Sequence, residues 1–194
     1  MKMLSIEEGE KLVRYARDVI EKHVKGKKID ELENFEENRG VFVTINTYPE
    51  NELRGCIGIP EPIMPLKKAI KESAVSACHD PRFPDLMEDE LDRIVIEVTV
   101  LTKPKLLEVE PEKYAEHIKI GRDGLMVEKG IYRGLLLPQV AVEYGWDVID
   151  FLRYTCIKAG LPENEWKKNT TKVYVFQGEI FSEEKPKGKI KKNA

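Results

Sequence analysis

The chain has 194 residues, 41% of them hydrophobic and 35% charged, with a formal net charge of -3. Its size allows a substantial core, with roughly 70% of the unfolded chain's surface removed from water. No stretch approaches the ~18 apolar residues of a spanning helix, and acidic and basic residues stay interspersed until the C-terminal tail, so neither a membrane nor nucleic acid is an expected partner.

The first residues lack the basic and apolar regions of a signal peptide, which points to a cytoplasmic protein. The excess of Lys and Glu resembles that of proteins from very hot environments. Three cysteines at wide spacing, Cys56, Cys78 and Cys156, read as free thiols rather than as a disulfide framework.

Ser5 to Glu8 form a capping box, in which hydroxyl and carboxylate each satisfy an orphan backbone donor. Leu12, Val13, Ala16, Val19 and Ile20 then recur at helical spacing, so a helix lays one stripe on a core until about His23. Residues 29 to 38 are acidic and aperiodic, a surface connection. Gly40 to Ile45 is strand-like, Tyr48 to Asn51 supplies turn residues, and Leu53 to Ile59 returns as the second arm of a hairpin. A helix follows Pro62–Pro65, with Leu66, Ala69, Ile70, Ser73, Ala74 and Ala77 facing inward. Asp80 to Pro84 stop it, because each proline excludes the α conformation from the residue before it. A short helical segment near Leu86 to Leu91 leads into Ile94 to Leu101, a β-branched run with the pattern of a strand.

The second half repeats this order. Gly124 to Val127 and Ile131 to Leu137 form a second hairpin. Helical sequence runs from Pro138 to Tyr144 and, after a break at Gly145, from Asp147 to Lys158. Val173 to Phe176 is the returning strand. Placing Gly55 on Gly134, an offset of 79 residues, also brings the strand at Ile94 onto Val173 and the stop at Asp80 onto Ala159 to Pro162. The expected fold is therefore α+β: duplicated hairpin–helix–strand units over 39–101 and 118–181, packed as two lobes of one domain spanning 1–194, with a mainly antiparallel sheet able to close into a barrel. Lys185 to Lys192, five lysines with Pro and Gly, reads as a mobile basic tail.

Leu53-Arg54-Gly55-Cys56-Ile57-Gly58 stands at the centre of the first unit. On a strand, Leu53, Gly55 and Ile57 share one face, while Arg54, Cys56 and Gly58 share the other. The second face offers a guanidinium, a thiol and a gap, a suitable wall for an anion or a flat ligand. The second unit has Leu135 and Leu137 where the first has Cys56 and Gly58, so the first forgoes apolar packing there. Either a ligand or a close backbone approach at Gly58 would account for it.

With Asp80-Pro81-Arg82-Phe83, Ile120-Gly121, Asp123-Gly124-Leu125, Leu137 to Ala141, Trp146-Asp147 and Lys158 to Leu161, the Leu53–Gly58 stretch resembles the signature of the AMMECR domain, called AmmeMemoRadiSam system protein A in prokaryotes. The resemblance covers nearly the whole chain except the tail. It implies a duplicated α+β fold whose signature residues line a cleft between lobes, a biochemical role that is not settled, and a genomic association with a Memo-like and a radical SAM protein.

Cys56 is either a nucleophile, activated by a nearby cation such as Arg54, or a half-buried small hydrophobe. His79 can serve it as a general base, or can simply interact with the C-terminal dipole of its helix. Asp80 and Arg82 are binding candidates fixed in a proline-bounded turn, or a turn-forming carboxylate and a surface cation. Gln139 and Trp146 can add hydrogen bonds and a stacking surface, although a tryptophan is more often core. Glu97 is a strand-edge solubiliser or a site group. Histidines at 23, 79 and 117 are too scattered for a metal centre, and no cofactor is implied. Two functions compete. One is a ligand-binding or catalytic cleft for a small molecule or peptide, with Arg54 as anion anchor and Cys56 as contact or nucleophile. The other is a non-catalytic adaptor that binds a partner protein through the same cleft.

Overall fold

The computed structural model describes residues 3–193. Helices and antiparallel strands alternate in the order α1 Ile6–Val24, β1 Val41–Thr47, β2 Leu53–Ile59, α2 Leu66–Ala77, β3 Ile94–Leu101, β4 Lys105–Leu106, α3 Tyr114–His117, β5 Asp123–Lys129, β6 Tyr132–Leu136, α4 Pro138–Glu143, α5 Val148–Lys158, β7 Lys172–Glu183 and β8 Ile190–Asn193. The chain forms two compact units. The first runs to Thr102 and resumes at Glu179, and the second is Lys103–Gly178, so β7 contributes to both. Among the described residues, no helix is long and apolar enough to cross a membrane.

In the first unit, β1 pairs with both β2 and β3. Val41, Val43 and Ile45 of β1 and Ile96, Val98 and Val100 of β3 point to one face, where they pack with α1 and α2 into a core. The capping box opens α1 as the sequence predicts: the Glu8 N–H donates to Ser5 Oγ and the Ser5 N–H to Glu8 Oε2. Gly55 faces this core because α2 ends on top of it; a Cβ there would lie 2.4 Å from the Ala77 carbonyl oxygen. The helical segment expected near Leu86 is a 3-10 turn at Glu88–Arg93. Residues 29–38 do more than connect, since Ile29, Leu32 and Phe35 pack against the core.

The mobile tail expected from Lys185 is not found. Ile190–Asn193 pairs with Ile180–Glu183 of β7 as β8, and Ile190 is buried. One of the lysines that suggested mobility is held locally: Lys192 lies over the Phe181 ring and donates to Glu179 Oε1 and to the Leu4 carbonyl.

The second unit places β5 between β6 and β7, with β4 on the far side of β7. Phe151, Leu152 and Cys156 of α5 pack on Leu125 and Val127 of β5. Asp147 caps α5 by accepting the Asp150 N–H, and the breaks at Gly145 and Gly160 both have positive φ, a conformation that glycine adopts without strain.

One buried ion pair ties α1 to the end of β7. Arg17 donates from Nε and Nη2 to the two oxygens of Glu183, at 2.6 and 2.5 Å, and also to the carbonyls of Leu91 and Ile94. Both side chains are buried, so removing one charge strands the other. Glu183→Gln is expected to cost about 3–5 kcal/mol in chemical denaturation, and the double variant Arg17→Met with Glu183→Leu clearly less.

Candidate functional site

β2 is an edge strand, so its outer N–H and C=O groups need partners from outside the sheet. At Cys56 the turn after α2 supplies both. The buried Asp80 carboxylate accepts the Cys56 N–H through Oδ2 at 2.9 Å, and Arg82 Nη2 donates to the Cys56 carbonyl at 3.3 Å. The two residues also bind each other, with Arg82 Nε to Asp80 Oδ1 at 3.0 Å and Nη2 to Oδ2 at 2.7 Å. The Arg82 guanidinium holds the Asp80 carboxyl well below the usual carboxylate range, aided by the Cys56 and Arg82 N–H donors, against the penalty of desolvation.

Because the backbone groups of Cys56 point out of the sheet, Cys56 and its cross-strand partner Thr44 form the non-hydrogen-bonded kind of pair, in which side chains approach closely. Thr44 Oγ1 donates to Cys56 Sγ at 3.2 Å. Thr44 is also opposite Glu97 on β3. Cys56, Thr44 and Glu97 therefore form one row across three strands, on the face turned away from α1 and α2. Phe42, Asn46 and Thr99 share that face, and all six are half-buried. Glu97 makes no hydrogen bond or ion pair among the described residues, and burial pushes its carboxyl up, with Lys191 opposing.

Glu97 also lines a polar cavity of about 310 Å³ with Asn46, Tyr48, Asn51, Ser182, Lys191 and Asn193. The sequence left Glu97 as a strand-edge solubiliser or a site group. Only the register shows that Glu97 lies midway along β3, opposite a residue that is itself opposite Cys56.

Arg54 is spoken for. Its guanidinium grips both oxygens of Glu90, at 2.7 and 3.0 Å, and donates to the carbonyls of Pro84 and Asp85. The side chain thus fastens β2 to the turn that follows α2, and the cation beside Cys56 is Arg82. At Gly58 the gap is filled: a Cβ would lie 2.4 Å from the Phe42 ring, so the glycine makes room for Phe42.

His79 turns elsewhere. Its Nδ1 bonds Asp85 Oδ1 at 2.8 Å and its Nε2 bonds His23 Nε2 at 2.7 Å, so its ring nitrogens are engaged with groups other than Cys56. Burial pushes the other two thiols up, Cys78 to about 12 and Cys156 to about 11. Gln139 and Trp146 belong to the second unit. Gln139 is exposed on α4, and Trp146 is half-buried, stacked on Tyr144 and Tyr154 at centroid distances of 4.9 and 4.1 Å. Among the described residues, no three His, Cys, Asp or Glu side chains converge as a metal-ligand set.

The Asp80 cap carries a pH signature. A carboxyl lowered by folding contributes stability that is complete above the unfolded value of about 3.9 and is lost as the pH falls below it toward the folded value. Asp80→Asn is expected to cost about 1–3 kcal/mol at pH 7. In denaturation curves taken at a series of pH values, that difference should shrink only below about pH 4.

Comparison with known proteins places the chain. The family model AMMECR1 matches residues 13–181. Protein MJ0810 of Methanocaldococcus jannaschii is 55% identical over 98% of this chain and 97% of its own length. Protein MK0488 of Methanopyrus kandleri is 52% identical over 97% of this chain and 94% of its own. The crystal structure of the uncharacterized protein PH0010 from Pyrococcus horikoshii matches with a TM-score of 0.77 and 52% identity, covering 95% of this chain and 96% of that one. With most of its length matched by the family model and its relatives aligned nearly end to end, the chain belongs to the AMMECR1 family.

Proposed function

We propose that the polar face of the first sheet is a ligand-binding site, with Cys56 as its contact or nucleophile and Asp80, Arg82 and Arg54 as the residues that hold it in place. The supporting observation is a comparison of rows. The two sheets share one register: Val43, Ile57 and Val98 correspond to Leu125, Leu136 and Val175, and the strand order is the same. We take them as copies of one hairpin–helix–strand unit. In further support, Gly134 underlies Ala159 of the second unit much as Gly55 underlies Ala77 of the first.

At the position of Cys56–Thr44–Glu97 the second sheet carries Leu135–Met126–Tyr174. A thiol, a hydroxyl and a carboxylate in place of Leu, Met and Tyr forfeit apolar burial, and they put a half-buried acid where no side chain neutralises it. Binding accounts for that exchange; folding alone does not.

Within the site the Thr44 hydroxyl donates to the sulfur, and the Arg82 guanidinium, paired with Asp80, holds the Cys56 carbonyl. Both features suit a thiol that meets an electrophilic or polar ligand atom. The thiol's accessibility is the test, read as alkylation rates by mass spectrometry on the native protein. Cys56 is expected to react well before Cys78 and Cys156, which burial protects until the chain unfolds. If Cys56 proves as inert as the two buried thiols, this face is not a site.

A further inference from the structure

The cavity beside Glu97 contains a pair of charges that do not meet. Glu97 projects from β3 and Lys191 from β8, and both line the same space of about 310 Å³, which is the size of a small-molecule site. They are near enough for Lys191 to bias the Glu97 carboxyl, yet no hydrogen bond or ion pair joins them, and neither has another such partner among the described residues. The neighbouring charges are committed or peripheral. Glu183 is bound by Arg17 and by the Ile96 N–H, Lys192 by Glu179, and Glu184 is exposed just after the end of β7. The remaining titratable groups of this face are Tyr48, at the β1–β2 turn, and Cys56.

We propose that this cavity binds the head group of a free α-amino acid, with the ammonium on Glu97 and the carboxylate on Lys191. A plain cation would satisfy Glu97 but meet Lys191 as a like charge, and a plain anion would do the reverse; a zwitterion satisfies both. The rest of the lining suits the head group's remaining donors and acceptors. Asn46 and Asn51 offer amides, and Ser182, which already accepts the Asn193 amide, keeps its hydroxyl proton to donate. Strands about 4.8 Å apart put Glu97 and Cys56 about 10 Å from each other across Thr44, and the thiol lies outside the cavity lining.

This inference rests on the reading of the polar face as a site, and it narrows the ligand class. Binding requires ionised Glu97, so affinity should rise with pH through the folded-state titration of that carboxyl and then level off.

The experiment is an NMR titration of the full chain with each of the twenty amino acids, with methylammonium and acetate as half-ligands. At least one amino acid is expected to saturate the resonances of Glu97, Lys191 and Asn46 at roughly 20 mM or below, with both half-ligands at least about tenfold weaker. Glu97→Gln and Lys191→Ala should each weaken binding about tenfold or more. Lys191 is exposed, so its variant keeps the fold if Glu97→Gln does not. The proposal falls if no amino acid binds, if a half-ligand binds as well, or if both variants bind like the native protein. Loss of binding with Cys56 still selectively alkylated would reject the ligand class and leave the site; failure of both would reject both.

Discussion

The carboxylate of Asp80 is the interaction on which the site depends. It sits three residues beyond the end of α2, and α2 itself is seated on the bare backbone of Gly55. The helix therefore delivers Asp80 to the next residue of the strand, where it takes the N–H of Cys56 while its partner Arg82 takes the carbonyl. An edge strand would ordinarily leave those groups to water or to another chain. Here they are fixed, and with them the direction of the Cys56 side chain and its approach to Thr44. Arg54 repeats the device two residues earlier by gripping Glu90 and the carbonyls of Pro84 and Asp85. Of the motif Arg54-Gly55-Cys56, two side-chain positions and one set of backbone groups are spent on the architecture. The Cys56 sulfur, with the Thr44 hydroxyl beside it, is the group of the motif that does not fasten the strand, and the proposed function rests on it.

The two faces of the first sheet answer to different demands. The inner face, Val41, Val43, Ile45, Ile96, Val98 and Val100, is fully apolar and buried under α1 and α2. The outer face carries Thr, Asn, Cys and Glu in half-buried positions. Glu97 is the expensive member. Its carboxyl is raised by burial, so its ionised form lowers the stability of the folded chain above its folded titration, and the loss disappears below the unfolded value of about 4.3. Elsewhere in the same unit, buried acids are neutralised by dedicated cations, Glu183 by Arg17 and Glu179 by Arg39. Among the described residues Glu97 has no such cation bonded to it, and the proposed site rests on that difference.

Much of this was legible in the sequence where the signal is local. The capping box at Ser5 and Glu8, the α1 stripe, both hairpins and the β-branched run of β3 follow from residues within a few positions of each other. The Leu53–Gly58 motif was visible for the same reason, as was the proline-bounded turn that holds Asp80 and Arg82. What local pattern could not supply is partnership at long range. Arg54 looked like a free anion anchor because Glu90 is 36 residues away, and His79 could be read as a base for Cys56 or as a helix-end group because its partner His23 is 56 residues away. Gly58 could be an opening or a close approach, and the Phe42 ring and the Val41 carbonyl that decide for the latter are on another strand. Glu97 could be an edge solubiliser or a site group, because only the register reveals Thr44 between it and Cys56. The tail looked mobile from its lysines, whereas Ile190 and the acceptor Glu179 secure it.

The central claim is that Glu97 is a half-buried acid held without a protein partner on the Cys56 face. The most direct measurement is a carbon-detected NMR titration of the Glu97 side-chain carboxyl in the ligand-free protein, in the native chain and in Lys191→Ala. The account predicts a midpoint above the ordinary glutamate value of about 4.3, moving further up when Lys191 is removed. An ordinary or lowered midpoint that ignores Lys191 would mean that the carboxylate is solvated or already paired, and would contradict the account.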